Sequence, residues 1–163
     1  MPARQDRPRF VIQKHDASRL HYDFRIEVGD VLKSWAVPKG PSTDPSDKRL
    51  AVATEDHPLS YIDFEGTIPE GEYGAGTMLV WDTGFYRNLQ DQPVEQGLQA
   101  GKIDIWLEGQ KLNGGYALVR TGEENWLLIK KKDEQADPSR NPVKSEPDSV
   151  LSGRSLDEIA EDT

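Results

Sequence analysis

Two histidines and an aspartate near the start of the sequence have the types and spacing of metal ligands. His21 and Asp23 are two residues apart, and His15 precedes His21 by six residues. Alternate residues of a β-strand point to the same face, so an extended chain would bring His21 and Asp23 together. Two imidazoles and a carboxylate suit a first-row divalent cation and leave positions for water and substrate oxygens. We therefore predict a catalytic metal site formed by His15, His21 and Asp23.

The segment that carries His21 and Asp23 has the pattern of a half-buried β-strand. From Leu20 to Val28, apolar residues alternate strictly with polar or charged ones, as in a strand with one face in the core. Gly29 and Asp30 follow, and glycine at the first central position suits a type II′ turn into a second strand. One face of the predicted hairpin therefore carries core residues, and the other carries the chemistry.

The predicted turn determines which residues of the two strands face each other. Arg25 lies opposite Ser34 and Asp23 lies opposite Ala36, so small side chains flank the charged row and leave space above it. Lys33 falls on the apolar face, which predicts a bulge or a sheet edge at that position.

Five further residues could surround the metal site and bind an oxyanion. Arg25 shares the strand face of the metal ligands, whereas Lys39, Arg49, His57 and Tyr61 lie on the segments that follow. A guanidinium group binds phosphate oxygens through two parallel hydrogen bonds, and lysine adds a point charge. Histidine and tyrosine can donate hydrogen bonds or a proton. Together these residue types predict a site for phosphoryl chemistry.

The charge of the chain is unevenly distributed, and its basic part coincides with the predicted site. The 163 residues carry a formal net charge of −9. Residues 1–50 contain ten Lys and Arg against seven Asp and Glu, residues 51–132 contain seven against thirteen, and residues 133–163 contain three against nine. A compact anion or the end of a nucleic acid could bind the basic part, but a long duplex footprint does not fit.

Residue types that the chain lacks exclude other function classes. The sequence contains no cysteine, which excludes thiolate metal sites and cysteine nucleophiles. It has neither a signal-peptide pattern nor an apolar run of membrane-spanning length. We therefore expect a cytoplasmic monomer that does not bind membranes.

Composition divides the chain into three parts. Residues 1–8 are polar and predict a flexible N-terminal segment. Residues 9–132 contain short strand-like runs between turn signals, which favours a mainly β antiparallel barrel or sandwich with a short helix near residues 94–100. Within them, residues 55–76 predict a long functional loop without regular structure. Residues 133–163 are acidic and poor in large apolar side chains, so we expect a disordered tail, dispensable for chemistry, with at most a small helix from Ser155.

Four segments of the chain also resemble a known family. They are KHDASRLHYDFRIE, LKSWAVPKGPS, KRLAVATEDHPLSYIDFEGTIPEGEYGAGTMLVWD and NWLLIKKKDE. These segments look like the 3′-phosphoesterase module of bacterial DNA ligase D and its free-standing bacterial and archaeal relatives, over about residues 9–134. The resemblance is specific because the strings H-D-x-S-x-L-H-Y-D-F-R and E-D-H-P-L-x-Y-x-x-F-E-G-x-I-P-x-G-x-Y-G are long and correctly spaced.

The resemblance implies a fold, an activity and partners. The fold would be a compact antiparallel β-barrel with a surface active-site groove. The activity would be that of a manganese-dependent phosphoesterase, with other divalent transition metals as alternatives. Family members remove a terminal ribonucleoside from a DNA 3′ end and then hydrolyse the remaining 3′-phosphate to a hydroxyl. The substrate would be the 3′ end of a DNA or DNA/RNA primer-template, and the partners would be ligase and polymerase components of end joining.

Carried over position by position, the family's site residues fall on the positions already singled out. Its metal ligands fall on His15, His21 and Asp23. Its catalytic and phosphate-contacting residues fall on Arg25, His57 and Tyr61, with Lys39 and Arg49 as further phosphate contacts.

Two other functions stay open at this point. His21, Asp23 and His57 could form the facial triad of a cupin-like non-haem iron oxygenase, although such a site gives no use to the neighbouring basic residues. A non-catalytic module that binds 3′-phosphate ends would need those basic residues but no metal chemistry.

Overall fold

The strands of the chain form one antiparallel sheet that closes on itself, as seen in a computed structural model that describes residues 7–72 and 75–161. The strands are β1 (Arg9–Asp16), β2 (Leu20–Val28), β3 (Val31–Val37), β4 (Lys48–Pro58), β5 (Gly66–Ile68), β6 (Gly76–Asn88), β7 (Lys102–Gly109), β8 (Asn113–Arg120) and β9 (Asn125–Lys130). The helices are a 3-10 helix (Leu59–Asp63) and the short α-helices α1 (Val94–Ala100), α2 (Pro142–Ser145) and α3 (Leu156–Glu161).

Pairing of the first strand with the sixth closes an eight-stranded barrel. The sheet order is β1-β2-β3-β4-β9-β8-β7-β6-β5, and β1 also pairs with β6. The short β5 is attached to the other side of β6, outside the barrel. This architecture confirms the predicted mainly β fold and the antiparallel barrel.

Large aromatic side chains fill the interior of the barrel. The ring centroids of Phe24 and Trp35 are 6.1 Å apart, and those of Trp35 and Trp126 are 5.7 Å apart. Trp81 is fully buried in the same cluster. The apolar residues of β2, which alternate in the sequence, all contribute to this cluster from Tyr22 to Val28. The polar residues between them therefore lie on the outer face of the barrel.

The predicted hairpin has the register that its turn implies. Arg25 pairs with Ser34 and Asp23 pairs with Ala36. Gly29 has a φ of 64°, as the first central residue of a type II′ turn requires. The irregularity expected at Lys33 is also present, because the pairing of β3 with β4 shifts between Leu32 and Ser34.

A second, smaller apolar cluster lies on the outer face of the barrel. It consists of Val11, Leu32, Ile62 and Val80, and Leu59, Tyr61 and Val150 pack against it. The 3-10 helix that contributes Ile62 lies within residues 55–76, which also contain the end of β4 and all of β5. This segment is therefore more regular than predicted, because burying Ile62 fixes it to the barrel.

The acidic C-terminal segment packs against the barrel, which differs from the predicted disorder. Ile159 of α3 is completely buried in the main core, and Ser155 and Glu158 form the expected capping box, with bonds of 3.0 and 3.2 Å. Val143 and Leu156 also pack on the core. Residues 1–6 of the predicted flexible segment and residues 162–163 of the tail lie outside the described residues.

No helix within residues 7–72 and 75–161 is long and apolar enough to cross a lipid bilayer.

Docking of α3 can be tested through Ile159. Truncating a fully buried isoleucine removes its apolar contacts and leaves a cavity, so Ile159→Ala should lower the free energy of unfolding by about 2–5 kcal/mol. Urea denaturation measures this difference. The matched control is Leu151→Ala in the same segment, whose side chain is 50% exposed and should change stability by less than about 0.5 kcal/mol. Equal stabilities of the two variants would show that α3 does not dock.

Candidate active site

The three predicted metal ligands meet on the outer face of the barrel at the pairing of β1 with β2. His15 and His21 are direct cross-strand partners, and Asp23 follows on the same face of β2. The first strand continues through Asp16, and this brings His15 next to His21. Nitrogen and oxygen ligand atoms of the three residues all lie within 4.8 Å of one another.

The carboxylate of Asp23 contacts both imidazole rings. His15 Nδ1 is 3.2 Å from Asp23 Oδ2, and His21 Nε2 is 3.1 Å from Asp23 Oδ1. Adjacent ligands of one octahedral cation with bonds of about 2.1 Å lie roughly 3 Å apart. The separations in the cluster match this spacing.

The second nitrogen of each ring contacts a backbone carbonyl oxygen. His15 Nε2 lies 3.1 Å from the oxygen of Ala75, and His21 Nδ1 lies 3.1 Å from the oxygen of Arg19. A carbonyl oxygen can only accept, so each ring donates its N–H there. When the rings are neutral, their lone pairs then point at the Asp23 carboxylate. Three electron-rich groups thus converge, and either extra protons or a cation must balance them. Metal-binding histidines commonly have this arrangement.

The electrostatics of the cluster favour a negative carboxylate and a positive partner. Burial alone would raise the pKa of Asp23, but hydrogen bonds with His15 and His21 and the charge of Arg25 hold that pKa well below its usual range. Burial would likewise lower the pKa of His21, but the hydrogen bond and charge of Asp23 outweigh it and raise that pKa. The residues present therefore fit a divalent cation.

A glycine lets the Ala75 carbonyl approach His15. Gly76 has a φ of 125°, and a Cβ atom at this position would collide with the carbonyl oxygen of Asp16. The start of β6 therefore packs directly on the end of β1.

Arg25 links the predicted metal ligands to the opposite side of the cavity. Its Nη2 is 3.3 Å from Asp23 Oδ2, and its Nη1 is 3.1 Å from His57 Nδ1. The guanidinium carbon also lies 5.2 Å from the centre of the Tyr61 ring. Arg25 is only 3% exposed, so these partners fix its position.

His57 and Tyr61 reach the same cavity from the end of β4 and from the 3-10 helix. Their ring centroids are 4.9 Å apart. His57 Nδ1 lies 2.9 Å from the oxygen of Glu55 as well as close to Arg25. A carbonyl accepts and a guanidinium donates, so Nδ1 cannot satisfy both at once. Burial and the charge of Arg25 lower the pKa of His57, which favours the neutral ring.

The side chains described above line one cavity of about 480 Å³. They are His15, His21, Asp23, Arg25, His57 and Tyr61. Small side chains, among them Ala36 and Ala75, form part of its lining and leave room above the charged row. This volume suits a phosphoryl group with an attached sugar. The space predicted opposite Asp23 is therefore present.

Lys39 and Arg49 are not among the residues that line this cavity. Lys39 is exposed on the loop after β3. Arg49 is half-buried at the start of β4, where it lies 3.6 Å from Asp47. Along the paired strands, both residues lie on the side of the Asp23–Ala36 pair that also holds His21. They therefore lie toward the same end of the barrel as His21. Their contact with a substrate phosphate stays a prediction.

Gln13 is a site residue that the sequence analysis did not single out. It is completely buried, and its Oε1 accepts a 2.6 Å hydrogen bond from Arg25 Nε. Its Nε2 donates to the carbonyl oxygens of Tyr61 and Phe64, at 2.9 and 3.3 Å. Gln13 thus joins Arg25 to the 3-10 helix. It stands two residues before His15, so the period of β1 is the signal that could have placed it on this face.

The sequence of the chain is similar to that of known proteins. The family described as the DNA Ligase D 3′-phosphoesterase domain matches residues 13–120. The chain is 53% identical over 154 residues to the multifunctional non-homologous end joining protein LigD of Pseudomonas aeruginosa, covering 91% of this chain and 18% of that protein. It is 45% identical to LigD of Mycolicibacterium smegmatis over 139 residues, which are 83% of this chain and 18% of the relative. The chain thus spans less than a fifth of the length of these relatives.

Metal titration of single variants tests the cluster. His15→Ala, His21→Ala and Asp23→Ala each remove one ligand, so each should weaken manganese binding by at least about 100-fold while the fold stays intact. Isothermal titration with Mn²⁺ measures the affinity, and circular dichroism checks the fold. Asp16→Asn is the matched control, since Asp16 is an exposed acid next to His15, and it should bind as the wild type does. If one of these three variants folded and kept the wild-type affinity for Mn²⁺, the residue that it replaces would not be a metal ligand.

Proposed function

Because the chain belongs to the family of DNA ligase D 3′-phosphoesterase domains, we propose that it is a metal-dependent hydrolase that processes the 3′ ends of DNA. One observation carries this proposal. The Asp23 carboxylate contacts His21 through Oδ1 and both His15 and Arg25 through Oδ2, so the Arg25 guanidinium lies directly beside the predicted metal ligands. A cation and a guanidinium could therefore bind the same phosphoryl group.

The proposed substrate is a DNA or DNA/RNA primer-template whose 3′ end carries a ribonucleotide or a phosphate. In the first reaction, water attacks the phosphorus that joins the terminal ribonucleoside, and the bond from phosphorus to the ribonucleoside 5′ oxygen breaks. A 3′-phosphate end and a free ribonucleoside result. In the second reaction, water attacks the 3′-phosphate, and the bond to the 3′ oxygen breaks. Each reaction consumes one water, and the leaving oxygen takes up a proton.

The donor set at His15, His21 and Asp23 would hold a divalent cation, for which we propose Mn²⁺. Such an ion would polarise a phosphoryl oxygen and lower the pKa of a bound water. Nitrogen ligands together with a carboxylate suit this class of metal.

Arg25, His57 and Tyr61 would act on the phosphoryl group itself. Charge builds on the phosphoryl oxygens and on the leaving oxygen during attack, so fixed donors there stabilise the transition state more than the bound substrate. Arg25 is held by Gln13 in one orientation. A phosphate beside His57 adds negative charge and would raise the pKa of its imidazole. His57 could then take up a proton and donate it, while the Tyr61 hydroxyl donates a hydrogen bond.

The arrangement gives less support to the alternative functions. An oxygenase site would need His21, Asp23 and His57 to share one metal, but His15 occupies the position beside Asp23, and His57 lies next to Arg25. The relatives are named for non-homologous end joining, and we propose that this domain acts there with ligase and polymerase components.

One assay separates hydrolysis from binding alone. We expect the pure protein with Mn²⁺ to convert a primer-template ending in one ribonucleotide first to a 3′-phosphate product and then to a 3′-hydroxyl product, both resolved by gel electrophoresis. Chelator and Asp23→Ala should abolish both products. Tight binding of a 3′-phosphate oligonucleotide without any product would instead support the binding module.

The division between metal ligands and phosphate-binding residues gives a second expectation. Arg25→Lys, His57→Ala and Tyr61→Phe should keep manganese but lose about 100- to 1000-fold in rate, because each loses a transition-state donor. Arg25→Lys is the sharpest variant, since a point charge cannot replace a two-pronged donor. Metal titration and the same gel assay measure both properties. Loss of metal in His57→Ala with metal retained in His15→Ala would reverse the assignment.

A further inference from the structure

Residues 133–161, here called the strap, are attached to the loop between β3 and β4. Thr43 of that loop is 2% exposed, and its hydroxyl donates to the carbonyl oxygens of Asp137 and Arg140, at 2.7 and 3.1 Å. In return, the Asp137 backbone amide donates to the Thr43 carbonyl oxygen at 2.8 Å. Lys39 lies on this loop.

The middle of the strap is attached to the barrel through a buried lysine. Lys111 donates from Nζ to the backbone oxygens of Glu146 and Asp148, at 2.7 and 2.5 Å. Its ammonium lies 4.6 Å from the centre of the Trp81 ring. Lys111 is itself held by a 3.1 Å bond from its amide to Asp82. Backbone atoms of the strap therefore satisfy a charge that would otherwise be costly to bury.

The last third of the strap is attached to Glu65, which follows the 3-10 helix. Glu65 Oε1 accepts hydrogen bonds from the Ser149 hydroxyl and from the Val80 amide. Glu65 Oε2 accepts a 2.9 Å bond from the Ser152 hydroxyl, and Arg154 lies 3.7 Å away. The Glu65 side chain is only 8% exposed. This carboxylate therefore joins the strap, β6 and the segment that carries His57 and Tyr61.

The same segment is coupled to the reactive groups through Gln13. The carbonyl oxygens of Tyr61 and Phe64 accept from Gln13, which in turn accepts from Arg25. Phe64 immediately precedes Glu65 in the chain. A shift of Glu65 would therefore displace Tyr61 and the support of Arg25, whereas His15, His21 and Asp23 are held by β1 and β2.

We propose that the strap is a positioning element of the active site, and that Glu65 is the residue through which it fixes the His57–Tyr61 segment. The inference rests on the proposed function for its catalytic part and on the contacts alone for its structural part. It also reverses the expectation that residues 133–163 are dispensable for chemistry. An acidic segment can serve here because the strap uses its backbone and hydroxyl groups.

Point variants in the full chain test this role. Ser149→Ala removes one donor to Glu65, and Glu65→Ala removes the whole junction. Glu65→Gln is the conservative variant, since its amide oxygen can still accept from Val80 and Ser149. Ser145→Ala is the matched control in the strap, because the Ser145 hydroxyl bonds within its own helix to Asn141.

We expect Ser149→Ala and Glu65→Ala to raise amide hydrogen exchange over residues 59–65 by about tenfold or more and to lower kcat by a similar factor. Manganese affinity and KM should change little, which general unfolding would not allow. Glu65→Gln should keep hydrogen exchange and kcat close to the wild-type values, and Ser145→Ala should match the wild type in both.

Two results would overturn the proposal. One is unchanged exchange over residues 59–65 in both Glu65→Ala and Ser149→Ala. The other is a Ser145→Ala variant that changes exchange over residues 59–65 and kcat as much as Ser149→Ala does. If the wild type hydrolysed no 3′ end, the proposed function would fail, and the exchange data would still decide whether the strap holds the segment.

Discussion

The rest of the site depends on the pairing of the buried Asp23 carboxylate with its charged and hydrogen-bonding neighbours. Asp23 is 6% exposed, and a buried charge is costly unless partners compensate it. Those partners come from three places: His15 on the preceding strand, His21 on the same strand and Arg25 two residues further on. Strand pairing sets Asp23 between Gln13 and Ala36. The carboxylate thus has charged neighbours along its own strand and a small residue on the side that opens to the cavity.

Sequence reasoning succeeded where the determining contacts are short in range. The alternation of β2 and the Gly29 turn act within a few residues, so they specified the hairpin register, the faces of Asp23 and Arg25 and the irregularity at Lys33. Of the twelve residues that line the cavity, six are predicted site residues: His15, His21, Asp23, Arg25, His57 and Tyr61.

Sequence reasoning failed where a partner is distant and has no distinctive side chain. The oxygen that fixes His15 belongs to Ala75, 60 residues away, and any residue type supplies such an oxygen. The period of β1 places Gln13 on the outer face, but its partners are the carbonyl oxygens of Tyr61 and Phe64, which no pattern in β1 reveals. The strap was missed for a related reason. Composition counts apolar residues, but this segment is attached mainly by hydrogen bonds of its backbone and hydroxyl groups, with Ile159 as a fully buried apolar side chain.

The close packing at Gly76 has a consequence for the tautomer of His15. Gly76 lies so close to the end of β1 that its Cα has room for a hydrogen but not for a Cβ atom. Because the two segments are this close, the carbonyl oxygen of the neighbouring Ala75 reaches His15. A carbonyl there makes Nε2 the protonated nitrogen and leaves the lone pair of Nδ1 directed at Asp23. Steric fit between two backbone segments therefore selects the tautomer of a histidine, so that a larger residue at position 76 would change the hydrogen bonding of His15 without contacting its ring.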